Sequence, residues 1–460
     1  MGGVDCLSWI MTHFAALQGG ITNVCSNQVA LLPATNLSYP SLPVAPMASN
    51  AAPVAETERI TAMDCLRGFA VLGILVMNIQ DFAMPGAAYF NPLALGPPTT
   101  EDWAAWLLTH VFADHKFITL FSMLFGAGIL LFTARAEKRG ERVARLHYRR
   151  MFWLLLFGAA HAYLLWSGDI LFSYAVCGMA VYPLRKCAPR TLLVVGVLLF
   201  SVSTGLALFF NWSMPHWPAA KVNSIEEEFW RPSPEKIAEE IHIYRSGWLA
   251  QMPDRAETSL FLETQYLLMN TFWYCSGLML MGMALFKAGV ITGARSRAFY
   301  LRMLLLGAPI GLALILYGAY RDALVGWNFR YSFFAGPEFN AWGSVALALA
   351  YVAAVMLACQ AGRPAWLLCR LQAAGRMAFS NYIAQTLICT LIFYGDGLGL
   401  FGSITRAGQL LMAIGIWILQ LWYSPLWLRR FRFGPLEWLW RSLTYGVRQP
   451  FLRAGAEGAG

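Results

Sequence analysis

The sequence predicts an all-α integral membrane protein of about ten transmembrane helices, and three observations carry that prediction. Ten apolar stretches, each about long enough to cross a bilayer, occupy most of the 460 residues. Arginine clusters fall in alternate gaps between them. The chain is 58% hydrophobic and only 13% charged, too apolar for an ordinary soluble protein of this size. A hydrocarbon core of about 30 Å takes roughly 20 residues of helix. Lipid offers unpaired backbone no partner, so such runs become helices.

In order, the spans cover residues 66–84, 117–134, 151–167, 170–184, 191–210, 263–286, 303–320, 339–359, 378–395 and 406–428. The net charge of +9 lies mainly in the gaps. Arg135, Lys138, Arg139, Arg142, Arg145, Arg149 and Arg150 separate spans two and three; Arg185, Lys186 and Arg190 follow span four. Lys287, Arg295, Arg297 and Arg302 follow span six, Arg363, Arg370 and Arg376 precede span nine, and Arg429, Arg430 and Arg432 close span ten. This is a topology signal rather than a nucleic-acid face. By the positive-inside rule both termini of this multi-pass chain are expected to be cytoplasmic.

The chain divides into an extension (1–58), an N-terminal five-helix membrane region (59–210), a hydrophilic outer loop (211–262), a C-terminal five-helix region (263–447) and a cytoplasmic tail (448–460). The extension is nearly uncharged and rich in Ala, Pro, Ser and Asn, so it is expected to be mostly unstructured, with an upstream extension of a protein that starts at Met47 as a further reading. Residues 1–20 hold no Lys or Arg, so a secretory signal is not expected. In the outer loop, Ser233-Pro234 opens a helix whose apolar stripe is Ile237, Ile241, Tyr244 and Trp248. It should lie along the interface as a roof or substrate lid. The nine cysteines show no paired spacing, so buried thiols are expected rather than a disulfide framework or a metal site.

Polar residues inside spans are costly and mark function or helix pairing. Span one carries Asp64, Arg67, Asn78 and Asp81 within a sector of about 100°. Arg67 and Asn78 share a face, separated by about 16 Å of rise. The plain alternative is that Asp64 pairs with Arg67 while Asn78 bonds a neighbouring helix. In span three Arg150 and His161 repeat the same spacing, with Asp169 at the turn that follows. His161 could act as a general base with Asp169 or Asp81 orienting its ring, or could join helices. Asn381, Gln385 and Asp396 in and after span nine read as structural polar groups. His115, beside Asp114 and Lys116, reads as solvated. Gly395–Gly402 reads as a turn between spans, not a dinucleotide loop, and there is no Walker P-loop.

A family resemblance rests on these residues. The run from Arg59 to Asn78, which contains Asp64-Cys-Leu-Arg-Gly68, resembles the opening of the YeiB-like bacterial membrane proteins. Similar too are Lys116-Phe117 with Phe121-Ser-Met-Leu-Phe-Gly126, His161 with Gly168-Asp-Ile-Leu-Phe-Ser-Tyr174, and Tyr244-Arg-Ser-Gly247 with Arg255. The tail resembles that family's domain of unknown function 418 through Gly375-Arg-Met-Ala-Phe-Ser-Asn-Tyr382, Phe393-Tyr-Gly395 and the run Gly434–Gly446.

The Asp-x-Leu-Arg-Gly opening also looks like that of transmembrane acyltransferases. That similarity implies an acyltransferase-like bundle and acyl transfer from cytoplasmic acyl-coenzyme A, such as acetyl-coenzyme A, to an outer hydroxyl or amine on a small molecule, glycan or lipid. It implies Arg67, with Arg150, at the coenzyme phosphates, Asn78 at the thioester carbonyl or acceptor, and His161 as base, with Asp81 and Asp169 beside it. No metal is implied. This chain departs from that pattern at the outer end of span one, where Asn78 and Asp81 stand in place of histidine. A secondary transporter, with Asp81 and Asp169 carrying protons along the polar stripe, is the alternative, and an accessory membrane subunit the third reading.

Overall fold

Each of the ten expected spans is helical over most of its length in the computed structural model, which describes residues 60–453. The readings of residues 1–58 and of the last residues of the tail lie outside the described range. In chain order the helices are α1 (Thr61–Ala83), α2 (Thr100–Phe112), α3 (Lys116–Lys138), α4 (Val143–Leu164) and α5 (Leu171–Val181). There follow α6 (Pro189–Ser213), α7 (Ala219–Phe229), α8 (Pro234–Tyr244), α9 (Trp248–Phe261), α10 (Phe272–Lys287) and α11 (Arg297–Leu324). The chain ends with α12 (Gly336–Ala361), α13 (Ala365–Arg376), α14 (Ala378–Phe393), α15 (Arg406–Arg430) and α16 (Pro435–Tyr445). Among the described residues seven helical runs are long and apolar enough to cross a membrane. The third, fourth and ninth expected spans form α4, α5 and α14, which are shorter or more charged.

Local chemistry sets many helix starts. Thr99, Ser296 and Thr405 use their hydroxyls to accept the N–H groups of Asp102, Phe299 and Gly408 at 3.2, 3.3 and 3.2 Å. The first turn of α14 is capped from far along the chain. Glu437 Oε1, on α16, accepts the N–H groups of Phe379 at 2.7 Å and Ser380 at 3.1 Å. Such a site suits a carboxylate, although burial pushes the Glu437 carboxyl above its ordinary pKa.

Helix α1 is the centre of the bundle, packed against α3, α12, α13, α14 and α15. Along its most apolar length it is 72% buried, against 17% for α11. Leu305 and Leu306 of α11 are 62% and 64% exposed, as suits a helix whose outer face meets lipid tails. The α1–α13 crossing is closed by two glycines. A Cβ at Gly68 would overlap the Leu371 carbonyl oxygen, and one at Gly375 the Asp64 carbonyl oxygen. Small residues here let two backbones touch.

Several expectations are corrected. The stripe ending in Trp248 does not lie on one helix: α8 stops at Tyr244, and Trp248 opens α9 after the extended Gly247. Helix α9 runs through a π-helical stretch, Leu262–Thr271, into α10. The boundary drawn at 262–263 therefore falls inside one continuous helical run. Helix α2 was not anticipated, its first turn being too acidic to extend an apolar run. Among the described residues six cysteines are free thiols, but Cys187 is disulfide-bonded; pairing depends on proximity in space, which sequence spacing does not report.

Candidate functional site

The N-terminal ends of α1, α4 and α14 and the C-terminal end of α3 surround a cavity of about 300 Å³. Its mouth is cationic: Arg67, Arg135, Arg139, Arg150, Arg376, Arg432 and Arg441 all line it, against two acids, Asp64 and Glu437. Arg67 Nη1 donates to Asp64 Oδ1 at 2.8 Å. The Arg150 guanidinium lies over the rings of Phe132 at 4.5 Å and Trp440 at 4.3 Å, which fixes it without a carboxylate partner there. Deeper in, the wall turns apolar with Val71, Ile74, Phe121, Leu124, Met151 and Leu154. The far end is closed by Ile170, Leu171, Tyr174 and Tyr382.

Directly behind Tyr382 lies His161, with ring centroids 5.2 Å apart. His161 is 3% exposed. Its Nδ1 is 2.7 Å from Asp169 Oδ1, and its Nε2 is 2.9 Å from Thr386 Oγ1. An ionised carboxylate only accepts, so Nδ1 carries the proton, and Nε2 of a neutral ring accepts from the threonine hydroxyl. Asp169 is itself held, because its Oδ2 accepts the Phe172 N–H in the first turn of α5 at 2.8 Å. This approach of α5 to α4 depends on Gly158, where a Cβ would overlap the Phe172 nitrogen and crowd Asp169 Oδ2. The Tyr382 hydroxyl is buried without a well-formed hydrogen bond, near the Ile170 backbone.

The other expected residues divide. Asp81 does not orient His161; its Oδ2 accepts the Trp166 indole N–H at 2.7 Å. Asn78 is half-buried and stands on the same helical face as Arg67, Val71 and Ile74, but it is not part of the cavity wall. Asn381 and Gln385 join helices. Gln385 Nε2 donates to Val71 O at 3.0 Å and Gln420 Oε1 at 2.8 Å. Asn381 Nδ2 donates to Ala374 O at 3.0 Å, and its Oδ1 accepts from Tyr423. Asp396 Oδ1 accepts the Trp248 N–H at 2.7 Å, at a second cavity of about 220 Å³ on the opposite end of the bundle.

Sequence reasoning missed Thr386, Tyr382 as the cavity floor, and a separate polar cluster. Lys116 is fully buried and donates to Asn340 Oδ1 at 2.5 Å and His110 O at 2.6 Å. Asn340 Nδ2 in turn donates to Asp114 Oδ2 at 2.7 Å. His115 is not simply solvated: its Nδ1 is 3.3 Å from the Tyr274 hydroxyl. The signal was available, since three ionisable residues in a row at the start of a span are costly without partners.

These features define a multi-pass membrane protein whose helices enclose a cavity that is cationic at its mouth and apolar within. Residues 285–447 match the model of the proteins of unknown function called DUF418. Over 427 residues the chain is 34% identical to the uncharacterized protein YxaH of Bacillus subtilis, covering 88% of this chain and 99% of that one. It is 33% identical over 406 residues to the uncharacterized protein YeiB of Escherichia coli, covering 85% and 98%. An uncharacterized 39.9 kDa protein of Bacillus acidopullulyticus is 30% identical over 403 residues, covering 87% and 98%. The chain belongs to the YeiB-like family of DUF418 membrane proteins.

Proposed function

We propose that this protein transfers an acyl group from cytoplasmic acyl-coenzyme A, such as acetyl-coenzyme A, to an extracytoplasmic hydroxyl or amine on a small molecule, glycan or lipid. The observation that carries the reading is the cavity, whose arginine-rich mouth narrows to an apolar end against Tyr382, with the His161–Asp169 pair behind it. A polyphosphate head with an apolar tail matches that gradient in charge. Guanidinium groups suit phosphate oxygens, and Arg67 and Arg150 are the phosphate ligands in this reading. His161 is the general base, with Asp169 fixing its tautomer and stabilising the imidazolium that forms. Asn78 has no part in the donor site and is left to the acceptor side. The orientation that goes with this places ten spans in a bacterial inner membrane, with both termini and the arginine-rich mouth cytoplasmic.

The test is thiol release. Purified protein in lipid nanodiscs, given acetyl-coenzyme A and a panel of hydroxyl and amine acceptors, should release free coenzyme A. His161→Ala should abolish that release while keeping the wild-type elution profile. Release at the wild-type rate by this variant would remove His161 from the chemistry.

A further inference from the structure

Three side chains from three different segments form a relay that the acyl-transfer reading alone does not require. Asp169 Oδ1 is 2.7 Å from His161 Nδ1, and His161 Nε2 is 2.9 Å from Thr386 Oγ1. A hydroxyl on a base whose ring is oriented by a third group is the arrangement that activates a nucleophile. Thr386 is 1% exposed, so this hydroxyl is held away from bulk water, which would otherwise compete for an acyl group.

Its place along α14 gives the relay a direction. Tyr382 lines the arginine-rich cavity, and Thr390 lines the smaller cavity at the other end. Thr386 stands between them, one turn from each and on the same helical face, about 6 Å from either along the axis. On α4 the order repeats: Leu154 lines the first cavity and Leu164 the second, with His161 between them. The second cavity is walled by Trp248 and Tyr394, with Arg255 and Asp396 as its charged groups. Each cavity thus has a lining residue on α14 one helical turn from Thr386.

We propose that Thr386 is a nucleophile that carries the acyl group as an ester between the two cavities, an inference that rests on the acyl-transfer reading. In the first half-reaction Thr386 Oγ bonds to the thioester carbonyl carbon and its proton passes to His161 Nε2. The C–S bond then breaks, and the departing sulfur takes that proton to leave as coenzyme A thiol. In the second half-reaction a hydroxyl acceptor in the outer cavity attacks the ester and gives its proton to His161 Nε2. The bond from the acyl carbon to Thr386 Oγ1 breaks, and Oγ1 recovers that proton from His161 Nε2. Tyr382, with its buried hydroxyl free of a well-formed partner, is placed to donate to the carbonyl oxygen as charge develops. The charged groups and aromatic walls of the outer cavity suit a sugar-like polyhydroxyl acceptor.

The experiment is acyl labelling without acceptor. The full-length protein in nanodiscs is incubated with acetyl- or octanoyl-coenzyme A, then measured as intact mass and mapped by peptide. The expected result is one acyl group on the peptide carrying Thr386, with one equivalent of thiol released in a burst. Thr386→Ser should keep the label, whereas Thr386→Val and His161→Ala should lose it. Acceptor addition should discharge it. If Thr386→Val transfers acyl groups at the wild-type rate with no covalent label in either protein, the ester is overturned while acyl transfer itself stands. If neither protein releases thiol with any acceptor, both readings fall together.

Discussion

Asp169 grips His161 and the start of α5 with its two oxygens, Oδ1 at 2.7 Å from His161 Nδ1 and Oδ2 accepting the Phe172 N–H at 2.8 Å. One carboxylate therefore sets both the tautomer of the imidazole and the position of the helix that walls the cavity's far end. An amide in its place could still accept from Phe172 but could present an N–H to Nδ1. Asp169→Asn should therefore leave the protein folded and lower thiol release by about 10²–10⁴-fold. Steady-state rates beside a melting curve check this; a rate within a few fold of wild type would remove Asp169 from the chemistry.

Gly158 should be intolerant of even one methyl. Gly158→Ala places that methyl against the Phe172 nitrogen and Asp169 Oδ2. The expected cost is about 1–3 kcal/mol of stability, with transfer falling further than stability does because the carboxylate is displaced. Thermal unfolding in detergent and thiol release, measured together, separate the two effects.

The contact between α8 and the helical turn that follows α1 should depend on pH. Glu240 Oε1 accepts the Gly86 N–H at 2.9 Å. Burial, aided by the neighbouring charge of Asp254, pushes the Glu240 carboxyl up to about 7. The folded state thus holds the proton more tightly than the unfolded chain. Its stabilising contribution is complete below the ordinary carboxylate pKa and is lost as pH rises through about 7. Hydrogen exchange across α8 should quicken over that interval, and Glu240→Gln should flatten the dependence. An equal pH response in both proteins would assign it elsewhere.

The architecture was legible because lipid makes it so. Apolar length and arginine position are properties of the chain itself, and ten stretches emerge as helices where they were drawn. The His161–Asp169 contact was within reach for a similar reason, since eight residues and one turn separate the two. Thr386 is 225 residues from His161. Nothing periodic joins them, and a threonine inside an apolar helix looks like any other. The same holds for Arg406, whose guanidinium reaches back to Gln80 Oε1 at 2.5 Å and Ala88 O at 2.6 Å. Asp81 misled because shared depth does not order helix neighbours: Trp166 reached it first. The arginine clusters of the cavity mouth stand plainly in the sequence, but their convergence depends on how the helices pack.

The most direct measurement is calorimetric binding of acetyl-coenzyme A to the detergent-purified protein, with Arg67→Ala beside it. Hydrogen bonds to charged groups contribute about 1.5–3 kcal/mol, so loss of the Arg67 guanidinium should weaken binding by about 10- to 100-fold. Saturable binding weakened in that way is the predicted result. No heat with well-folded protein, or equal affinity in Arg67→Ala, would contradict a coenzyme phosphate at this mouth.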